Sequence, residues 1–170
     1  MIETVTSAAL PVDENLLIKK QRLGFTGDPS QKRICIVTGI HGDELEGQYV
    51  CYELQRRIRE TPKLLTGIVD IYPAINPLGI DSLTRGIPGF DLDMNRIFPG
   101  GTDGTMEEYV ALQVVKDLQG ADLCIDIHAS NIFLREIPQI RISEKTSERL
   151  LPYAVQMNID FIWIHSASTV

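Results

Sequence analysis

Three short, largely apolar runs constrain the fold of this chain most strongly. They are "RICIVT" (33–38), "GIVDIY" (67–72) and "ADLCIDIH" (121–128). Continuous apolar runs of this length are typical of β-strands that are covered on both faces, as in parallel sheets. The sequence therefore predicts an α/β fold with a mostly parallel central sheet and helices on both of its faces.

Helical patterns separate these predicted strands. Apolar residues recur at helical spacing from 44 to about 59 and again over 107–118, so the first helix and its flanking strands form a βαβ unit with the usual right-handed crossover. Residues 2–9 and 15–22 are β-prone and predict an antiparallel pair at one edge of the sheet. The pattern ends with a short strand near 137–142, a helix near 145–156 and a strand at 161–164.

Size and charge limit the classes of function. A chain of 170 residues fits one domain, 1–170, and a net charge of −7 argues against a general affinity for nucleic acid or for an anionic membrane. The sequence lacks a run long enough for a membrane span and an N-terminal secretory signal. We therefore expect a cytoplasmic protein, and the sequence leaves open whether it forms a homo-oligomer.

The three cysteines, Cys35, Cys51 and Cys124, are odd in number, far apart and placed within apolar segments. This arrangement favours reduced thiols in the core over a disulfide framework.

Two of the three histidines, His41 and His128, are candidate metal ligands, and both stand at the ends of predicted strands. His41 and Glu44 are spaced i, i+3, which on the first turn of a helix places both side chains on nearly the same face. His128 ends the strand at 121–128, which can lie beside the strand at 33–38. Two histidines and one carboxylate form a recurrent catalytic zinc set, and Asp126, two residues before His128, is a candidate acceptor for its ring.

Ordinary structural roles explain each of these residues taken singly. Glu44 can complement the positive end of a helix, and His128 can bond to backbone at the end of its strand. The combination of both histidines with a long polar segment, 76–104, favours a site, because a loop of that length inside a compact domain is usually functional or disordered.

The chain resembles the N-terminal part of the succinylglutamate desuccinylase and aspartoacylase family, within the zinc carboxypeptidase superfamily. Four segments carry the resemblance in the order in which the family has them: "GIHGDELEG" (39–47), "NPLG" (76–79), "DLDMNRIFPG" (91–100) and "DLCIDIHAS" (122–130). The resemblance implies a zinc-carboxypeptidase-like fold with one zinc ion, for which His41, Glu44 and His128 are similar to the family's ligands.

The resemblance also implies roles for three residues of the polar segment. Asn95 and Arg96 are similar to the pair that binds the substrate carboxylate, and Arg85 is similar to the arginine that polarises the scissile carbonyl. The planar guanidinium of Arg96 suits bidentate capture of a carboxylate. The alternatives are a surface ion pair of Arg96 with Asp91 or Asp93, and a solvated loop charge for Arg85. Asp91 and Asp93 are themselves expected to orient the arginines.

The family's catalytic glutamate, the general base, lies further toward the C-terminus than residue 170. The resemblance therefore implies that the chain is C-terminally incomplete. Glu136, Glu144 and Glu148 lack the family's motif and are expected to be solvated carboxylates, Arg141 to be a solvent-facing strand residue and His165 to be structural.

These observations predict a zinc-dependent hydrolase that cleaves the amide bond of an N-acyl amino acid or a similar small carboxylate-bearing amide. Zinc would lower the pKa of a bound water from near 16 to about 7. Two alternatives stay open: a zinc carboxypeptidase that acts on peptide C-termini, and a truncated relative that binds metal or ligand without catalysis. Other divalent metals also suit two imidazoles and a carboxylate.

Overall fold

A computed structural model describes residues 1–89 and 92–166. The chain divides into two compact units, of which the first is Met1–Phe133 and the second begins at Leu134. A division into compact units does not set domain boundaries, so the single domain predicted over 1–170 stays a prediction. Within the described ranges no helix is long and apolar enough to cross a membrane.

The first unit is built around a five-stranded sheet with the order β1-β2-β4-β3-β5. Its strands are β1 (Ile2–Ala9), β2 (Asn15–Leu23), β3 (Arg33–Thr38), β4 (Ile68–Tyr72) and β5 (Leu123–Ile127).

The sheet is mixed, and the prediction of a mostly parallel sheet is wrong. β3 is parallel to both of its neighbours, β4 and β5, but β1 is antiparallel to β2 and β2 is antiparallel to β4. The antiparallel edge pair is confirmed. Apolar runs identify strands that are covered on both faces. They carry no information about the direction of β2, which pairs with β4.

Helices cover both faces of this sheet, as predicted. On one face Val110 and Val114 of α3 (Met106–Leu118) pack with Val37 of β3 and Tyr72 of β4. On the other face Cys51 of α1 (Glu46–Glu60) packs with the alternate residues of the same strands. Each fully buried aliphatic side chain contributes about 1.5–3 kcal/mol through burial, so the two clusters hold β3 and β4 between the helices.

A buried ion cluster joins β2 to the parallel part of the sheet. Asp70 on β4 is fully buried and accepts hydrogen bonds from Arg22 on β2 (2.7 and 2.8 Å) and from Arg33 on β3 (2.8 Å). Burial by itself would raise the pKa of Asp70, but the two guanidinium groups outweigh it and hold the pKa below its usual range. The cluster thus stabilises the antiparallel junction that the sequence pattern did not reveal.

The polar segment 76–104 is partly ordered into helical structure, although the sequence showed no sustained period there. It contains α2 (Pro77–Ser82) and a short 3₁₀ helix at Met94–Arg96. Asn76 caps α2, because its side-chain oxygen accepts a hydrogen bond from the Gly79 N–H at 2.9 Å. The cap and the proline at the first position explain why a helix forms here. The helix is too short to show a helical period in the sequence.

The second unit contains two parallel strands, β6 (Gln139–Ser143) and β7 (Phe161–His165), and the helix α4 (Ser147–Ala154), which packs against β6. Arg141 is exposed, as predicted, and its guanidinium lies 5.2 Å from the centre of the Trp163 ring.

All three cysteines are free thiols. Cys35 and Cys51 are buried, as predicted, and burial raises the pKa of Cys51 to about 11. The prediction of a core position is wrong for Cys124, which is exposed on β5, one of the two edge strands of the described sheet.

Close packing of α1 on β3 depends on Gly47. A Cβ atom at this position would lie 1.9 Å from the Oγ1 atom of Thr38, which is fully buried. We expect Gly47→Ala to lower the free energy of unfolding by about 2 kcal/mol, because the helix must move away from the strand. Chemical denaturation monitored by circular dichroism measures this change.

Gly101→Ala is the matched control, because nothing lies within 4 Å of the Cβ atom that it would add. We expect its stability to stay within about 0.5 kcal/mol of the parent chain. Equal stability of the two variants would contradict the tight contact at Gly47.

Candidate metal centre

The pairing of β3 with β5 brings the two candidate histidines to one edge of the sheet. The strands are parallel, and the last residues in register are Thr38 and Ile127. The carboxyl ends of adjacent parallel strands meet at the same edge, where ligand sites of α/β proteins commonly form. His128 follows β5 directly, and His41 lies in the turn that follows β3.

The turn that carries His41 and Glu44 is not helical, and this part of the sequence prediction is wrong. α1 begins at Glu46, and the Glu44 N–H donates to the His41 carbonyl oxygen at 3.4 Å within a turn. The i, i+3 spacing brings the two side chains together in a turn as it would in a helix. The spacing alone therefore could not distinguish a turn from a helix.

The glycine of this turn allows a close approach to α2. The Gly42 N–H donates to the carbonyl oxygen of Thr84 at 3.0 Å, and a Cβ atom on Gly42 would lie 1.9 Å from the carbonyl carbon of Gly79. These contacts hold the turn against α2, the helix that Asn76 caps.

Three side chains converge at the candidate metal centre, which we define as His41, Glu44 and His128. The Nδ1 atom of His41 lies 2.7 Å from Glu44 Oε1, the Nδ1 atom of His128 lies 3.0 Å from Glu44 Oε2, and the two Nδ1 atoms are 3.2 Å apart. The Ala129 N–H donates to Glu44 Oε2 at 2.9 Å and fixes that carboxylate.

The opposite nitrogen of each ring is bonded to a second carboxylate. His41 Nε2 lies 3.0 Å from Asp93 Oδ1, and His128 Nε2 lies 2.9 Å from Asp126 Oδ2. Histidines that bind metal commonly donate their other ring N–H to a carboxylate, which fixes the tautomer and the ring orientation. In both rings Nδ1 therefore faces Glu44, and Nε2 is bonded to an aspartate.

The charges of the centre are strongly coupled. Burial by itself would raise the pKa of Glu44, but hydrogen bonds from His128, His41 and the Ala129 N–H hold it well below its usual range. Burial by itself would lower the pKa of His128, but its hydrogen bonds to Asp126 and Glu44 raise the pKa to about 10. The site thus keeps an ionised carboxylate and attracts positive charge.

This arrangement fits a zinc ion. The candidate ligand atoms all lie within 4.8 Å of one another. Ligands placed about 2.0–2.1 Å from a tetrahedral zinc ion lie about 3.3 Å apart, close to the spacing of the Nδ1 and carboxylate atoms here. Two imidazoles and one carboxylate also leave a coordination position for water or substrate, as catalytic zinc sites do.

Arg85, for which the family resemblance implies a role at the scissile carbonyl, contacts the centre. Its Nη1 atom is 3.2 Å from Glu44 Oε1 and its Nη2 atom is 3.3 Å from Asp93 Oδ2, while about half of its side chain stays exposed. Asp93, which is expected to orient the arginines, is thus in contact with Arg85.

Asn95 and Arg96 lie in the short 3₁₀ helix next to Asp93. The Asn95 N–H donates to Asp93 Oδ1 at 2.9 Å, so the carboxylate that contacts His41 also fixes the start of this helix. Arg96 is exposed, and within residues 1–89 and 92–166 it forms no ion pair. Asp91, its other predicted partner, lies outside the described residues.

Sequence reasoning missed two contributions to the centre. The contact of Asp93 with His41 spans 52 positions, and the backbone donor Ala129 has no signature in its side chain. The aspartate in "DMNR" was a signal for the first, although it was assigned to the arginines alone. Glu136, Glu144 and Glu148 lie in the second unit.

Comparisons with known proteins agree with the fold and with the motifs. A family model described as the succinylglutamate desuccinylase/aspartoacylase catalytic domain matches residues 30–169. The N-alpha-acetyl-L-2,4-diaminobutyric acid deacetylase of Halomonas elongata is 30% identical over 132 residues, which cover 70% of this chain and 38% of that protein.

Two solved structures have the same fold. The succinylglutamate desuccinylase/aspartoacylase of Rhodobacter sphaeroides is 26% identical with a TM-score of 0.77, and the match covers 96% of this chain and 51% of that one. A metallo-carboxypeptidase of Burkholderia cenocepacia is 15% identical with a TM-score of 0.72, covering 98% and 48%. The predicted zinc-carboxypeptidase-like α/β fold is confirmed, and this chain spans about half the length of these two proteins.

The raised pKa of His128 predicts that metal binding depends on pH. With a pKa of about 10, this ring carries a proton at pH 7, and a ring that coordinates metal through Nδ1 and donates from Nε2 must lose one. We therefore expect zinc affinity to rise with pH between 6 and 7.5, by up to about tenfold per pH unit. Competition with a chromophoric chelator measures the affinity.

His165→Ala is the control and should keep this dependence, because His165 belongs to β7 of the second unit and is not a candidate ligand. A zinc affinity that is constant from pH 6 to 7.5, without proton release in calorimetry, would contradict the proposed state of His128.

Proposed function

Because the chain belongs to the succinylglutamate desuccinylase/aspartoacylase family, we propose that it is the metal-binding part of a zinc-dependent hydrolase. The proposed substrate is an N-acyl amino acid or a similar small carboxylate-bearing amide, whose amide bond is cleaved. The observation that carries the proposal is the convergence of His41 Nδ1, His128 Nδ1 and the Glu44 carboxylate within about 3 Å of one another.

A bound zinc ion would supply a Lewis acid and acidify a water molecule at neutral pH. His41, Glu44 and His128 would hold it, and the carboxylates of Asp93 and Asp126 keep the two rings aimed at it. The exposed half of Arg85 offers a positive charge to a carbonyl oxygen, on which negative charge develops during attack. Removing one such stabilising group typically costs on the order of 3 kcal/mol in activation free energy.

Asn95 and Arg96 are proposed to bind the substrate carboxylate. The guanidinium of Arg96 is exposed next to a helix turn that Asp93 fixes, so it is available for a bidentate contact. A lysine would offer a point charge instead of a planar fork.

The relative from Halomonas elongata supports deacylation of an N-acyl amino acid, since its name describes removal of an acetyl group. The second candidate is cleavage at peptide C-termini, because capture of a carboxylate by Arg96 serves both reactions. Hydrolysis of a panel of N-acyl amino acids and dipeptides by the product of the complete reading frame distinguishes the two.

A protein that binds metal without catalysis is the third candidate. Turnover by the product of the complete reading frame would exclude it. A cytoplasmic location and a homo-oligomeric state stay predictions.

The zinc assignment predicts one ion per chain. We expect His128→Ala to lower the zinc content of purified protein at least tenfold under limiting zinc, since losing one of three protein ligands removes much of the affinity. His165→Ala, the matched loss of an imidazole on β7, should keep one zinc per chain. Mass spectrometry measures the zinc content of both variants, and undiminished zinc in His128→Ala would refute the assignment.

The carboxylate-binding role of Arg96 predicts a change in KM. In the product of the complete reading frame, Arg96→Lys should raise KM by about ten- to a hundredfold, because the bidentate contact is lost while a positive charge remains. Arg141→Lys, on the exposed face of β6, should leave KM unchanged. An unchanged KM in Arg96→Lys would exclude Arg96 from substrate binding.

A further inference from the structure

Arg85 contacts the candidate metal centre directly as well as facing solvent. Its guanidinium bridges two carboxylates, with Nη1 at 3.2 Å from Glu44 Oε1 and Nη2 at 3.3 Å from Asp93 Oδ2. Both carboxylates also bond to His41, through its Nδ1 and Nε2 atoms respectively. A single positive side chain is thus connected to two of the three candidate ligands.

The two oxygens of Glu44 have different partners. Oε2 accepts from the Ala129 N–H and lies next to His128, whereas Oε1 lies next to His41 and Arg85. Only Arg85 among these partners carries a permanent positive charge on a side chain that is about half exposed, with 52% of its surface accessible. Arg85 is therefore the partner that can leave Glu44 without exposing a buried group.

We infer that Arg85 antagonises metal binding at this centre by sharing the Glu44 carboxylate. The inference rests on the proposed function, in which His41, Glu44 and His128 bind zinc. A divalent cation and the guanidinium both require negative charge from Glu44, and they repel each other at contact distance. Each therefore weakens the interaction of the other with Glu44.

Reciprocity gives this antagonism a functional consequence. If the contact of Arg85 with Glu44 lowers zinc affinity by some factor, then zinc lowers the stability of that contact by the same factor. Metal binding thus shifts Arg85 away from Glu44 and toward solvent, where a substrate carbonyl can reach it. Arg85 would thus link the binding of metal to the accessibility of its own positive charge for the substrate.

Zinc affinities of the chain and of three variants test the inference. Arg85→Gln removes the charge and keeps a similar shape, and we expect it to bind zinc about tenfold more tightly than the parent chain at low ionic strength. Arg85→Lys keeps the charge without the planar bridge and should lie between the two. Arg141→Gln is the control, because it removes a positive charge that is exposed on β6 and contacts no candidate ligand, and its zinc affinity should stay within twofold.

A second measurement needs no variant. Phenylglyoxal modifies accessible arginines, and peptide mass mapping gives the modification rate of each. We expect zinc to raise the rate at Arg85 severalfold and to leave the rate at Arg96 unchanged. Equal or weaker zinc affinity in Arg85→Gln, with one zinc still bound per chain, would overturn the inference and leave the metal centre intact. If neither the parent chain nor Arg85→Gln bound zinc, the proposed function itself would fail, and this inference with it.

Discussion

The parallel pairing of β3 with β5 is the constraint on which the candidate site depends. The two histidines are 87 positions apart in the chain, yet their Nδ1 atoms lie 3.2 Å apart because both strands end in register at the same edge of the sheet. A shift of one residue would reverse the face to which each side chain points. The central position of β3, held by helices on both faces, therefore determines whether a metal centre forms at all.

Charge is arranged differently at two places in the first unit. Around Asp70 the buried carboxylate is balanced by Arg22 and Arg33, and this cluster stabilises the junction of β2 with β4. The candidate metal centre has the carboxylate of Glu44, and Asp93 and Asp126 add two more on the outer nitrogens of its histidines. Arg85 is the arginine partner among the described contacts. The three carboxylates favour positive charge at this place, which the proton on His128 or a divalent metal can supply.

The sequence predicted the parts of this arrangement that local patterns encode. Apolar runs located β3, β4 and β5, and the histidines that follow the first and last of these strands identified the candidate ligands. Contacts between distant segments were not encoded in this way. The antiparallel join of β2 to β4 depends on an ion cluster of three strands, and the bond from Asp93 to His41 depends on the fold of the polar segment.

The position of Glu44 shows that two candidate ligands can be brought together by a local structure other than the predicted one. The i, i+3 spacing predicts a helix, whereas the pair lies in a turn that ends before α1 begins at Glu46. The turn is compact because Gly42 packs on Gly79 of α2, which Asn76 caps. The segment "NPLG" therefore contributes to the site by supporting the turn of His41 and Glu44. The packing of Gly42 on Gly79 reveals this role.

X-ray absorption spectroscopy of the zinc-loaded protein tests the central claim most directly, because it identifies the atoms bound to the metal. Binding by His41, Glu44 and His128 predicts a first shell of nitrogen and oxygen only, at about 2.0–2.1 Å, with the outer-shell scattering of two imidazole rings. A sulfur ligand at about 2.3 Å would place the zinc on a cysteine instead, and a first shell without imidazole scattering would contradict the account.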